Sequence, residues 1–337
     1  MKPLSIKDIA KKANVSITTV SFILNGKAEK MRISQEMIIK VEKIIKELGF
    51  RPNLVARSLR TGNTKTIGLI VEDISNPFFA SIARLIEDKA YRHGYKIIYS
   101  STENNLDKAK GLIKMFKSRQ VDGYIIAPML GMEDDIKGLL MDRTPVVVFD
   151  RHLPGVDVST VLVNNLEGTY MATTALLQQG KKKIAYVTVD LEVQEIQDRY
   201  SGYETALKQN KINVDKKLCK LISFENTAEQ TTAELVEFFT ANPKIDAVLF
   251  ATNYLAVRGL FAFKQMNKPL DSQFKVIAYD DHDIFKLHSP TISAVDQPIE
   301  EIANQVITLI LKGLSIVDSF EEQELKQVVL SSKLIER

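Results

Sequence analysis

Short apolar runs alternate with segments of helical periodicity from residue 66 to residue 279, and this alternation constrains the fold more than any other feature of the chain. The runs cover 66–71, 96–100, 123–127, 145–149, 161–163, 183–189, 247–250 and 275–279. Helical patterns lie between them at 79–93, 108–118, 166–179, 201–210, 228–241 and 255–266. Strand–helix alternation implies parallel sheets with helices packed on their faces. So many elements exceed one sheet, so two lobes with a cleft between them are expected. Ligands in such folds bind beyond the carboxyl ends of the strands.

The first sixty-odd residues follow a different pattern. Residues 1–65 hold 14 Lys and Arg against 5 Asp and Glu, a net +9, while the whole chain carries 45 against 42. The remainder is therefore acidic, and the basic charge is localised as in a nucleic-acid-binding module. A lysine-rich solvated helix face would give the same count, so charge alone does not decide. Ser5 and Asp8 are spaced as a capping box before Ile6, Ile9, Ala10 and Ala13, which share one helix face. Asn14-Val15 reads as a tight turn. Ser16 then caps a second helix from Ile17 to about Asn25, with Val20, Ile23 and Leu24 facing inward. Two short helices joined so tightly form a helix-turn-helix, whose second helix enters the major groove. A third helix, 34–48, closes the core with Ile38, Val41, Ile44, Ile45 and Leu48, and Gly49 and Pro52 end it.

Other classes are poorly supported. The 337 residues are 45% hydrophobic with 15 Gly and 10 Pro, a globular composition. The N-terminus has no apolar signal core, and no long apolar span follows, so a cytoplasmic protein is expected. The lone Cys219 excludes an internal disulfide, and its apolar neighbours suggest a buried strand. His93, His152, His282 and His288 lack ligand spacing, and no metal or cofactor is expected. Gly-x-Gly-x-x-Gly, P-loop and Gly-x-Ser-x-Gly patterns are missing, which argues against an enzyme.

The run from Ile6 to Ser21 resembles the headpiece of the lac/gal repressor family, and residues 48–53 with Ala56-Arg57-Ser58-Leu59 are similar to that family's linker and hinge helix. The resemblance covers the whole chain. It implies a small all-α helix-turn-helix head plus an α/β two-lobed, periplasmic-binding-protein-like (type I) body with parallel sheets. The implied division is a head at 1–52, a hinge helix and linker at 53–61, an N-terminal lobe of 65–163 plus 294–321, and a C-terminal lobe of 164–293 plus 322–337. Three crossovers join the lobes, expected near Val163-Asn164, at 293–298 and at 320–325. One departure is the segment from Gly26 to Ile33, which looks about three residues longer than the family's usual loop. Its Lys27, Lys30 and Arg32 offer phosphate contacts of their own.

By the same resemblance, Ile17 and Thr18 sit where the recognition helix reads bases, with Phe22 one turn further on. Ile17 suits a thymine methyl, although packing within the head is the alternative for Ile17 and Phe22. Ser16, Thr19, Ser21 and Asn25 suit phosphate contacts. Leu59 matches a minor-groove wedge, Ala56 a small residue at the hinge-helix contact, and Asn53, Arg57 and Arg60 flank them. Effector-site positions fall on Phe78, Phe79, Asp150, Arg151, Arg199, Phe224, Asn253 and Asp280. Bland alternatives exist: the two Asp residues as helix caps, Arg199 in a surface ion pair, the Phe pair as core. Tyr254 stands where the family usually has Asp. These positions imply a ligand-switched transcription regulator, expected to be a repressor, with double-stranded operator DNA as partner. Its effector is expected to be a sugar or sugar derivative, with Arg151 and Arg199 leaving room for an acidic one. No heptad tail follows the strand-like 325–330, so a homodimer is expected rather than a tetramer.

Overall fold

The computed structural model describes residues 4–50, 62–271, 273–317 and 325–337. The chain divides into two compact units, Met1–Thr64 and Lys65–Arg337. The expected hinge helix, with Asn53, Ala56, Arg57, Leu59 and Arg60, lies outside the described residues.

Among the described residues the head holds three helices, α1 (Ile6–Ala13), α2 (Ile17–Leu24) and α3 (Gln35–Glu47). Ser5 donates its backbone N–H to the Asp8 carboxylate at 2.8 Å, fixing the start of α1. Asn14 adopts a left-handed conformation (φ 56°) that turns the chain after one residue, a geometry Asn tolerates better than most residues. The Ser16 hydroxyl then accepts the Thr19 N–H at 3.0 Å and opens α2. Ile9, Ala10, Ala13, Val20, Ile23, Val41 and Ile44 form the core with Ala28. Ala28 belongs to the α2–α3 loop, so that loop is packed rather than loose. Backbone bonds from Lys27 to Phe22 (2.9 Å) and from Ile33 to Ala28 (3.0 Å) brace it.

The body contains two six-stranded sheets of identical order. We number their strands β1 (Thr66–Val71), β2 (Lys96–Ser101), β3 (Gly123–Ile126), β4 (Val146–Phe149), β5 (Ser159–Val163), β6 (Ile184–Val189), β7 (Cys219–Ile222), β8 (Ala247–Phe250), β9 (Lys275–Tyr279), β10 (Ser293–Asp296), β11 (Gln327–Leu330) and β12 (Lys333–Ile335). The first sheet runs β2-β1-β3-β4-β5-β11 and the second β7-β6-β8-β9-β10-β12. All pairings are parallel except β12, which is antiparallel to β10. β3, β4 and β8 are buried at every position, as strands covered by helices on both faces must be. β7 is an edge strand with Cys219 only half-buried. The expected buried strand at Cys219 is therefore corrected: helices cover both faces of a central strand, but β7 has a neighbour on one side only.

Helices continue the numbering as α4 (Pro77–Arg92), α5 (Leu106–Ser118), α6 (Glu133–Met141), α7 (Asn165–Gln178), α8 (Gln194–Gln209), α9 (Ala228–Ala241), α10 (Asn253–Gln265), α11 (Asp283–Leu287) and α12 (Ile299–Val317). α7 and α8 pack closely because Gly202 has no side chain; a Cβ there would overlap the Leu166 carbonyl and the Thr169 hydroxyl. Among the described residues, no helix is long and apolar enough to cross a membrane.

The chain passes between the sheets three times. It leaves the first sheet at Val163-Asn164 and returns from β10 to α12 through Gln297-Pro298. The third passage differs from the expected one at 320–325. β11 still pairs with β5 in the first sheet, so the crossing falls at Ser331-Ser332, before β12. The expected lobe division moves accordingly: β10 belongs to the second lobe and β11 to the first. A two-residue link between edge strands carries no compositional turn signal, which is why sequence places this boundary too early.

Candidate functional site

On the head, Ser16, Ile17 and Thr18 form an exposed cluster at the start of α2. Ile17 is 44% exposed, and neither Ile17 nor Phe22 belongs to the head core. An isoleucine kept out of the core at a recognition-helix N-terminus offers an apolar contact to a base edge. The polar neighbours are partly engaged. The Ser16 hydroxyl caps α2 and lies 2.8 Å from the Thr19 hydroxyl, while Asn25 donates to the Ser21 carbonyl at 2.6 Å. Lys27, Lys30 and Arg32 are exposed on the following loop.

In the body, the strand ends of both lobes converge on one cleft. Asp150 follows β4 and Asp280 follows β9, and these strands occupy the same place in the two sheets. Both residues have left-handed backbones, φ 68° and 67°. Their N–H groups donate to equivalent carbonyls, Val161 at 3.0 Å and Val295 at 2.9 Å. Neither caps a helix: α11 is capped by His282, and β4 leads on to β5. Non-glycine residues held at positive φ at strand ends mark sites where the surroundings impose the geometry.

Arg199, on α8, is buried and lines the same chamber as these carboxyl groups, whose charges act on it. Its Nε donates to Asn165 Oδ1 at 2.8 Å, and one terminal nitrogen donates to the Ala251 carbonyl at 2.7 Å. Its guanidinium stacks 3.7 Å from the centre of the Tyr279 ring, so the surface ion pair is not its role. Arg151 pairs with Glu72 and donates to Asn104 Oδ1 at 2.7 Å. Asn104 Nδ2 is buried without a hydrogen-bond partner among the described residues. Gln297 donates to Asp280 at 2.5 Å, and Glu195 accepts the His152 N–H at 2.9 Å.

The cleft has two chambers. The inner one, about 60 Å³, is lined by Phe78, Phe79, Asp150, Arg151, Arg199 and Asp280, together with Glu72, Glu195, Tyr254 and Gln297. The outer one, about 390 Å³, takes Phe224 and Asn253. Of the eight expected residues, six therefore meet in the inner chamber and two lie outside it. Phe78 and Phe79 also belong to the first-lobe core, their rings 5.1 Å apart, so the pair packs as core and lines the chamber as well. Glu72, Glu195 and Gln297 are not among the residues expected from sequence. Glu72 and Gln297 directly follow strands β1 and β10, a positional signal that could have found them; Glu195 lies in the first turn of α8 and had none.

Electrostatics in the inner chamber are tense. Burial, reinforced by Glu195 and only partly offset by Arg199, pushes the Asp150 carboxyl up to about 8. Burial also raises the Asp280 pKa, against the pull of Arg199 and Gln297. Burial works against the Arg199 charge, but Tyr279, Asp280 and Asp150 outweigh it and raise its pKa. Burial lowers the pKa of Arg151 and lifts the Tyr254 phenol to about 12. Four carboxyl groups thus face two guanidinium groups that already have partners. Hydroxyl donors entering the chamber would satisfy the acceptors there.

A helix-turn-helix head on a two-lobed α/β body with a polar cleft is the build of a ligand-responsive DNA-binding regulator. Residues 5–53 match the family described as bacterial regulatory proteins, lacI family. Residues 64–328 match the periplasmic binding proteins and sugar binding domain of LacI family. The chain is 33% identical over 336 residues to the HTH-type transcriptional regulator RegA of Clostridium saccharobutylicum, covering 99% of this chain and 98% of that one. It is 29% identical to the ribose operon repressor of Halalkalibacterium halodurans, covering 92% and 90%. The lac repressor dimer bound to operator and an anti-inducer superposes with a TM-score of 0.83 at 20% identity, covering 100% and 98%. The chain belongs to the LacI family of bacterial regulatory proteins. It is a transcription regulator and not an enzyme.

Proposed function

We propose that the protein is a homodimeric repressor, working in the cytoplasm, whose two heads bind a near-palindromic operator and whose DNA affinity is set by a neutral, sugar-like effector in the cleft. The observation that carries this reading is the meeting of Asp150, Asp280 and Arg199 between the lobes. Each lobe contributes an acceptor, so a polyhydroxyl ligand bonded to both favours one arrangement of the lobes. Such a ligand shifts DNA affinity only through differential contacts in two states. Both arginines already have partners within the protein, which favours a neutral effector over an acidic one. On the DNA side, Ile17 and Thr18 read the half-site, while Ser16, Thr19, Ser21 and Asn25 set its register. Asn53, Ala56, Arg57, Leu59 and Arg60 act at the operator centre, Leu59 as the wedge.

The test is selection and sequencing of genomic fragments bound by the purified chain at near-physiological salt, with and without added neutral sugars. A recovered palindrome whose enrichment changes with one sugar is the expected result. A non-palindromic or sequence-independent pool refutes the operator reading, and a palindrome insensitive to every neutral sugar but released by a sugar acid refutes the effector class.

A further inference from the structure

The loop that joins α2 to α3 is built rather than slack. Ala28 is buried in the head core, and backbone bonds fold the loop back on itself: Met31 donates to the Lys27 carbonyl at 3.0 Å and Arg32 to the Glu29 carbonyl at 2.9 Å. Arg32 is held in the left-handed conformation, φ 53°, a geometry that the surroundings impose on a residue with a side chain. Lys27, Lys30, Met31 and Arg32 are nevertheless exposed, Met31 at 45%. Among the described residues the head's ion pair joins Lys12 to Glu47, while Lys27, Lys30 and Arg32 have no carboxylate partner. Packing thus fixes the backbone and leaves the cations free.

The length of α2 says where these cations meet the duplex. Its eight residues span about 12 Å, which is about the width of the major groove. With Ile17 and Thr18 at the base edges, the far end of α2 stands at the phosphate wall, and the loop that follows lies over that wall. Beyond the wall is a minor groove. The reading above gives the central minor groove to Leu59 and its neighbours, which leaves the groove on the outer side of each half-site.

We infer that the α2–α3 loop grips the outer minor groove flanking each half-site, with Arg32 sensing the width of that groove and Lys27 and Lys30 holding the phosphate wall beside it. This rests on the operator reading above and extends the operator beyond the bases that α2 meets. Guanidinium groups are drawn into narrow A·T-rich minor grooves, where the negative potential is strongest. A G·C pair places an amino group in the same groove. Met31, next to Arg32, is of the apolar kind that seats in minor grooves. The flank that fits this loop is therefore rich in A·T pairs.

The experiment places the recovered palindrome between randomised flanks and repeats the selection with the full chain. Affinities then follow at one salt concentration for A·T, G·C and inosine·cytosine flanks. The parent is expected to enrich A·T flanks and to bind them about fivefold or more tighter than G·C flanks, the low end of what one base pair contributes. Inosine·cytosine keeps the major-groove edge of G·C but lacks its minor-groove amino group, so those flanks should bind like A·T. Arg32→Gln is expected to bring all three flanks within about twofold of one another. Lys27→Gln with Lys30→Gln should weaken all three alike. Recovery of the same palindrome by the variants shows that their heads fold. Inosine flanks that behave like G·C, or an Arg32→Gln loss equal on every flank, overturn the groove inference and leave the operator standing. No palindrome from the parent overturns both.

Discussion

Replacing Asp150 by Asn is expected to stabilise the ligand-free body, and more so as pH rises. In the folded chain burial and Glu195 hold the Asp150 carboxyl at about 8, against an ordinary 3.8. Between those two values the folded state keeps a proton that the unfolded state has released. Stability therefore falls as pH rises through that window and levels off above it. Each pH unit is worth at most about 1.4 kcal/mol, or roughly 4 kcal/mol from pH 4 to pH 7. Relaxation of the cleft and the nearby Arg199 reduce this, and about half, roughly 2 kcal/mol, is a reasonable expectation. For a body of this size that is a rise of about 4–8 °C in Tm. The amide of the Asp150→Asn variant does not titrate, so the difference between variant and parent should grow from pH 5 to pH 8. Differential scanning calorimetry across that range measures it. A variant no more stable than the parent at pH 8, or a difference that does not change with pH, refutes the claim that Asp150 is held protonated by burial.

Three further outcomes are expected. Arg199→Ala removes the buried guanidinium whose charge acts on both Asp150 and Asp280 and should abolish the ligand's effect on operator affinity while DNA binding in its absence persists; an unaltered response in a gel-shift titration counts against the site. Replacing Ile17 or Thr18 by Ala should cost about 1–3 kcal/mol at one half-site position and relax the preferred base there, read by repeating the selection; an unchanged motif shows that these residues only pack. Changing Lys27, Lys30 and Arg32 to Gln together should flatten the dependence of log affinity on log salt by about 0.9 for each phosphate no longer neutralised. A slope identical to the parent's shows that the packed loop stays off the backbone.

Much of the architecture is readable from sequence because a parallel strand covered on both faces must be apolar throughout, and β3, β4 and β8 are. The head is readable for another reason: Ser5, Asn14 and Ser16 are local devices whose partners lie within four residues. Asp150, Asp280 and Arg199 can be placed at strand ends and on a helix without their convergence being visible. Local pattern does not encode which strand an edge strand joins, so β11 falls in the wrong lobe when sequence alone assigns it. The helical patterns read from sequence omit α6, α11 and α12, and without α12 the turn before it, which carries Gln297, has no frame. Phe224 groups with the inner residues in sequence because a residue can be seen to follow a strand, but not which part of a cleft that strand end meets.

The three passages between the lobes are fastened to the site itself. Asn165, next to the first, accepts from Arg199; Gln297, in the second, donates to Asp280. Ser332, in the third, lies 3.5 Å from the hydroxyl of Tyr279, whose ring carries Arg199. Glu167 laces the first passage to the third, accepting from Asn164 and Ser331 at 3.1 Å each. Joints set side by side and tied together leave the lobes one easy motion, like a door on three pins. A ligand bonded to Arg199 and Asp280, as proposed, would pull on the pins rather than on the handle. Effectors of quite different outline would then turn the same door through the same arc.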